Sequence, residues 1–367
     1  MMNEIKQPDN MGSYSSEDVV FLLRDISTIN LEMESEQRER LIQSGTHYSE
    51  MLPVEYLPSD AYMKLFYQTL DDYAERIALA VGIVAKQIVE RQGLDHLVLV
   101  SLARAGTPIG ILIKRYIKMY YNVSIPHYTI SILRGRGIDE TAIRYILTQH
   151  PLARIQFIDG WTGKGAITRE LQQACDSFNA QYDKQLDATL AVLADPGHCT
   201  SIYGTRADFL IPSACLNSTV SGLVSRTVWN EQFMDANDFH GAKYYKELQD
   251  ADVSNLYIDR ISTYFKQVEK EVEQRLQDRI PAAITWQGVE SVVAIQQHYG
   301  MTNSNFVKPG VGETTRVLLR RVPWKILINP KYKHELAHIL LLAKEKNVQI
   351  EEYAQMSYAC CGLIKEV

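Results

Sequence analysis

Residues 154–168 read R-I-Q-F-I-D-G-W-T-G-K-G-A-I-T, and the reading of this stretch decides the fold. Ile155, Gln156, Phe157 and Ile158 form a strand-favouring run that ends on a carboxylate, Asp159. Small and hydroxyl-bearing residues follow (Gly160, Thr162, Gly163, Gly165), and from Lys164 the pattern turns helical. Strand, acid, short loop and helix in that order place the loop outside the carboxyl end of a strand in an open parallel sheet, where ligands collect. The glycines let backbone approach an anion closely, and the helix N-terminus beyond them favours negative charge. Asp159 repels an anion, so its place is against sugar hydroxyls or a metal. The nucleotide P-loop is absent, because Gly165 is not followed by Lys and a hydroxyl. An ordinary βα turn is the alternative for this stretch taken alone.

Two further units repeat the order. Residues 97–102 (L-V-L-V-S-L) read as a buried strand, followed by A-R-A-G-T-P and a helix from about Thr107 with Pro108 in its first turn. Residues 125–133 predict a third strand, ending in R-G-R-G-I-D, where Arg134 and Arg136 are exposed and can make forked contacts to phosphate. A helix to about Tyr182 and strands at 188–194 and 208–211 continue the alternation. The fold class expected is α/β, with a doubly wound, mostly parallel sheet and a second, smaller α/β domain. The amino-terminal part predicts a helix from Ser16, the polar and aromatic stretch G-T-H-Y-S-E-M-L-P-V-E-Y at 45–56, and a long amphipathic helix over 62–91. Together they suggest a hood, in which His47, Tyr48 and Glu50 are read as structural. Residues 261–280 predict a charged connector helix, and Pro281 marks a boundary. The domains expected are therefore 1–260 with its hood, a connector at 261–281, and 282–367.

A length of 367 residues accommodates two cores. The formal charge of −6 divides unevenly: residues 282–367 hold ten Lys/Arg and seven Asp/Glu, +3, which leaves −9 for the remainder. Only the tail can carry a basic face for nucleic acid. The first ten residues lack a signal pattern and no apolar run is long enough to span a bilayer. The five cysteines show no C-x-x-C spacing and read as reduced thiols, so a cytoplasmic location is expected. No residue fixes the oligomeric state.

The stretch 154–168 resembles the phosphoribosyltransferase signature (type I fold), with its acid, its T-G-x-T-like loop and its 5′-phosphate. The resemblance implies an enzyme binding phosphoribosyl pyrophosphate with Mg and transferring phosphoribose to an acceptor that no residue names. Asp159 would hold ribose, and Gly160, Thr162, Gly163, Lys164, Gly165 and Ala166 the phosphate. Arg104, Ala105, Gly106 and Thr107 would touch pyrophosphate and Arg134 and Arg136 would close over it. Asn217, Ser218 and Ser221 would meet the acceptor, although Ser218 and Thr219 equally suit a helix cap. The pattern departs from the signature in having Asp159-Gly160 for the usual acidic pair and Gly165 where Thr is expected.

Residues 307–316, V-K-P-G-V-G-E-T-T-R, within an α/β order resemble the pelota-type RNA-binding domain. That likeness implies RNA contacts by Lys308, Gly312, Glu313 and Arg316, with Gly312 standing where the family more often has Asn. The two domains in this order resemble one family found with bacterial tellurite-resistance and stress-response genes, labelled phosphoribosyltransferase-like or StiP-type cysteine protease. Phosphoribosyl transfer is the expected activity. Two alternatives stay open: a cysteine protease, using Cys215 beside Asn217 or Cys199 with a distant His47 or His127, and a non-catalytic RNA-binding protein on a degenerate transferase fold.

Overall fold

The computed structural model describes residues 5–279 and 283–365; the boundary expected at Pro281 lies outside them. Six strands form one parallel sheet: Val20–Phe21 (β1), Leu97–Leu102 (β2), His127–Ile130 (β3), Arg154–Trp161 (β4), Leu190–Ala194 (β5) and Ile202–Thr205 (β6). Their spatial order is β1-β3-β2-β4-β5-β6. The order reverses at β2, which pairs with β3 on one side and β4 on the other. The loops leaving β2 and β4 therefore share one crevice at the carboxyl edge.

Alternate residues of each strand feed two cores. Leu97 and Leu99 pack with the helices Asp60–Gln92 (α2, after Ser35–Gln43, α1) and Gly106–Tyr121 (α3). Val98 and Val100 face Glu140–Gln149 (α4) and Ala166–Tyr182 (α5). This period-two division is what a sheet covered on both faces requires. Ser254–Ser262 (α6) and Phe265–Gln277 (α7) pack beside α2.

A second, smaller α/β domain carries the helices Gln287–His298 (α8), Val311–Arg320 (α9) and Ala337–Glu345 (α10). Its sheet comprises Val307–Pro309 (β7), Pro323–Ile328 (β8), Gln349–Glu352 (β9) and Cys360–Ile364 (β10), in the order β7-β10-β8-β9. The mixed α/β class and mostly parallel central sheet agree with the sequence reading. No helix among the described residues is long and apolar enough to cross a membrane.

Three elements differ from expectation. The segment expected as a helix from Ser16 instead turns and adds β1 to the sheet edge, with Val20 opposite Tyr128. Arg115 holds that segment through two bonds to Asp18, at 2.8 and 2.6 Å. The connector is broken between α6 and α7, where Ser262 and Thr263 hydroxyls donate to carbonyls of Ile258 and Arg260. The last strand is β6 rather than 208–211. Gly204 interrupts its apolar pattern, yet glycine is needed there because a Cβ would stand 2.6 Å from the Ala80 carbonyl of α2.

Candidate active-site cleft

Beta-strand β4 delivers Asp159 to the crevice, and α3 is drawn tightly against it: a Cβ on Gly106 would stand 2.5 Å from the Ile158 carbonyl. The loops at 103–105, 134 and 162–165 line a cavity of about 310 Å³. Its remaining wall is the second domain, through Lys308, Pro309, Glu313 and Arg316. Six cations (Arg104, Arg134, Lys164, Arg226, Lys308, Arg316) face two carboxylates, Asp159 and Glu313.

The two domains meet on this loop. Arg316 lies over the Trp161 ring at 4.6 Å and pairs with Glu313 at 2.9 Å. Asp208 accepts from the Val311 and Ala359 amides, both at 2.8 Å, and so caps α9. The Tyr358 hydroxyl donates to the Gly163 carbonyl at 3.1 Å, and the Trp286 amide donates to the His198 carbonyl at 3.1 Å.

Burial raises the Asp159 carboxyl to about 6, against the Gly160 amide that favours its charge. Burial, then Arg134 and Arg169, lower Lys164 to about 8. Its ammonium donates to the Ser304 carbonyl at 2.7 Å. Burial and Arg134 bring Lys308 down to about 7. Burial alone would raise Glu313, but Arg316, Lys308 and Arg134 outweigh it and hold that carboxyl low.

The structure brings Asp159, Thr162, Gly163, Lys164, Gly165, Ala166, Arg104, Ala105, Arg134, Lys308, Glu313 and Arg316 to one cavity. Others of the expected set stand elsewhere. Arg136 turns away to Glu50, at 2.6 Å. Thr107 is buried and its hydroxyl accepts from Thr129 at 3.1 Å. Gly160 packs against Ala105. Ser218 bonds Glu55 through its amide and its hydroxyl, both at 2.8 Å, and the Ser221 hydroxyl donates to the Asn217 carbonyl. Asn217 accepts from Arg104 at 3.3 Å and, with Cys215, lines a different cavity that contains no histidine. Gly312 packs under Trp161, where a Cβ would come within 2.6 Å of the ring. Among the described residues no group of three or more His, Cys, Asp or Glu gathers that could hold a metal ion.

Sequence reading passed over Asp195, Arg38, Arg226 and Tyr358. Asp195 is fully buried in the D-P-G-H-C loop, where it accepts from the Cys199 amide at 2.9 Å and from the Thr162 hydroxyl, and pairs with Arg206. Its signal was the carboxylate at the end of an apolar strand, the same sign that singled out Asp159. The Cys199 thiol lies behind the cleft loop, 3.3 Å from the Gly197 carbonyl and 3.8 Å from that of Gly163.

Residues 12–262 match the family model described as tellurite-like stress resistance cysteine protease StiP. Residues 286–366 match the PELOTA RNA binding domain. A protein of Acinetobacter baylyi named cysteine protease StiP is 36% identical over 326 residues, covering 86% of this chain and 84% of the relative. These matches overturn the expected phosphoribosyltransferase: the family and its relative are described as cysteine proteases, so transferase, glycosyltransferase and phosphoribosyl pyrophosphate assignments fall. The physical reason is that a strand, acid, glycine loop and helix arise at any parallel-sheet crevice, and the fold does not specify the chemistry placed there. Over more than two thirds of its length, this chain belongs to the StiP family.

Proposed function

We propose that the chain is a cysteine protease and that Cys199 is its nucleophile. The observation that carries this is the setting of the three thiols within the span shared with the family: Cys175, Cys199 and Cys215. Cys175 is a buried residue of α5, and only acids, Asp176 and Asp187, act on it. Cys215 is packed in the other core with Thr69 as its polar neighbour. Cys199 alone of the three has cations at hand, Arg169 and Arg206, which favour its thiolate. It also follows His198 directly and lies against the cleft loop.

Burial, then Asp195, push the Cys199 thiol up to about 12, so this conformation holds it protonated. Burial and Arg206 lower the His198 imidazole, which is therefore neutral and able to take a proton. No hydrogen bond joins a histidine ring to a thiol among the described residues. Activation thus requires the 162–165 loop to lift from Cys199 and His198 to turn towards it. The thiol proton then passes to His198, the thiolate attacks a peptide carbonyl carbon, and His198 returns the proton to the leaving amine as the C–N bond breaks. Water, deprotonated by His198, then hydrolyses the thioester and restores the thiol.

Hydrolysis of a fluorogenic casein by purified wild type, Cys199→Ala and Cys215→Ala tests this reading. Loss of hydrolysis in Cys199→Ala with retention in Cys215→Ala supports it. The reverse pattern assigns the nucleophile to Cys215, and undiminished hydrolysis in both removes these two thiols from the reaction.

A further inference from the structure

Past Arg134, Arg226 and Lys308 the cleft continues into a second cavity, of about 620 Å³. Its walls are α1, the turn at Arg134 and Gly135, and the second domain at Asn303, Asn305, Phe306, Lys308 and Arg321. Five cations reach it: Arg38, Arg134, Arg226, Lys308 and Arg321. The one carboxylate there, Glu39, is already paired with Arg321 through bonds of 2.9 and 2.7 Å.

Several donors remain without partners. Arg38 is only 4% exposed, and neither its Nε nor its Nη1 meets a hydrogen-bond acceptor among the described residues. Arg226 gives Nη2 to the carbonyls of Tyr48 and Met51, but its Nε is likewise unpaired. Lys308 is 9% exposed, and its ammonium makes no hydrogen bond to any described residue. Burial, Arg38, Arg104 and Arg321 lower Arg226 to about 9, which shows how closely these cations crowd one another.

Burying like charges beside unpaired donors is costly, and a bound anion removes both costs at once. We propose that this cavity is a binding site for a small, multiply charged anion of the phosphate class, held jointly by Arg38 and Arg226 of the first lobe and Lys308 of the second domain. Forked guanidinium groups suit the tetrahedral oxygens of such a ligand. The volume falls in the small-molecule range of about 300–1,000 Å³. RNA is disfavoured because the face that would read it is turned inward: Gly312 lies under Trp161 and Arg316 over its ring. This site does not depend on the protease reading, since neither Cys199 nor any of residues 162–165 lines it.

The test is calorimetric titration of inorganic pyrophosphate into the full chain, with Arg38→Gln, Lys308→Gln and Lys164→Gln in parallel and thermal melts confirming that each is folded. Lys164 lines only the first cavity. Saturable binding is expected in wild type, weakened about tenfold or more in Arg38→Gln and Lys308→Gln and kept within about twofold in Lys164→Gln. Should Arg38→Gln fail to fold, Lys308→Gln against Lys164→Gln carries the comparison. Absence of binding by folded wild type overturns the proposal. So does loss in Lys164→Gln with retention in Arg38→Gln, which moves the anion to the first cavity. Tighter binding of a kinked RNA duplex that displaces pyrophosphate and is lost in Arg38→Gln replaces the small anion with RNA.

Discussion

The Tyr358 hydroxyl, on the second domain, donates to the carbonyl of Gly163 at 3.1 Å, across the loop that covers Cys199. On the proposed mechanism, the second domain thus holds shut the loop whose lifting frees the thiol. Tyr358→Phe removes that bond and keeps the ring, which is otherwise fully buried. The account expects Cys199 in this variant to be alkylated by iodoacetamide several-fold faster than in wild type, read by mass spectrometry over time. Unchanged alkylation rates would separate the second domain from access to the thiol.

Gly312 of α9 packs directly under Trp161 of the first lobe, where a Cβ would stand 2.6 Å from the ring. Gly312→Val overpacks this contact and is expected to cost about 1–3 kcal/mol of stability. Denaturant unfolding measures it, and Trp161 fluorescence should shift as its ring is displaced. A neutral substitution would mean that the two lobes do not rest on this contact.

Asp208 accepts two amides from the second domain while lying in the first. Asp208→Ala leaves the Val311 and Ala359 amides unpaired, at about 1–3 kcal/mol each. Melts of the variant should fall, and limited proteolysis should release the second domain sooner than in wild type. Equal resistance to protease in both proteins would count against this capping role.

The sheet was legible in the sequence because buried parallel strands are short apolar runs, and the stretches at 97–102 and 155–158 carry that pattern. Much of the cavity lining followed, because the loops after those strands share the crevice where the strand order reverses. Strand β6 was missed because Gly204 answers to a close approach by α2, a tertiary cause that local pattern does not carry. Arg38 and Arg226 lie far apart in the chain and meet only through folding. The chemistry was misread for a related reason: an acid and a glycine loop mark a crevice, whereas the properties of Cys199 depend on Asp195, Arg169 and Arg206 gathered from three segments.

The Asp159 carboxyl, raised by burial to about 6, makes stability depend on pH. Its folded value exceeds the unfolded one near 3.8, so its contribution is complete below about pH 4 and is lost as pH rises through about 6. Asp159→Asn keeps an acceptor for the Gly160 amide and does not titrate. Its melting temperature is expected to gain on wild type between pH 4 and 6 and to hold that gain above. A constant difference from pH 4 to 8 would place Asp159 in a more open setting than this one.

The central claim, that Cys199 is the reacting thiol of a cysteine protease, is tested most directly by trapping. A peptidyl electrophile specific for activated thiols is incubated with the full chain, and the labelled residue is mapped by peptide mass spectrometry. The account predicts a single stoichiometric adduct on Cys199, absent when His198 is replaced by alanine in an otherwise folded protein. An adduct on Cys215, or hydrolysis of casein that persists once Cys199 is fully labelled, contradicts it.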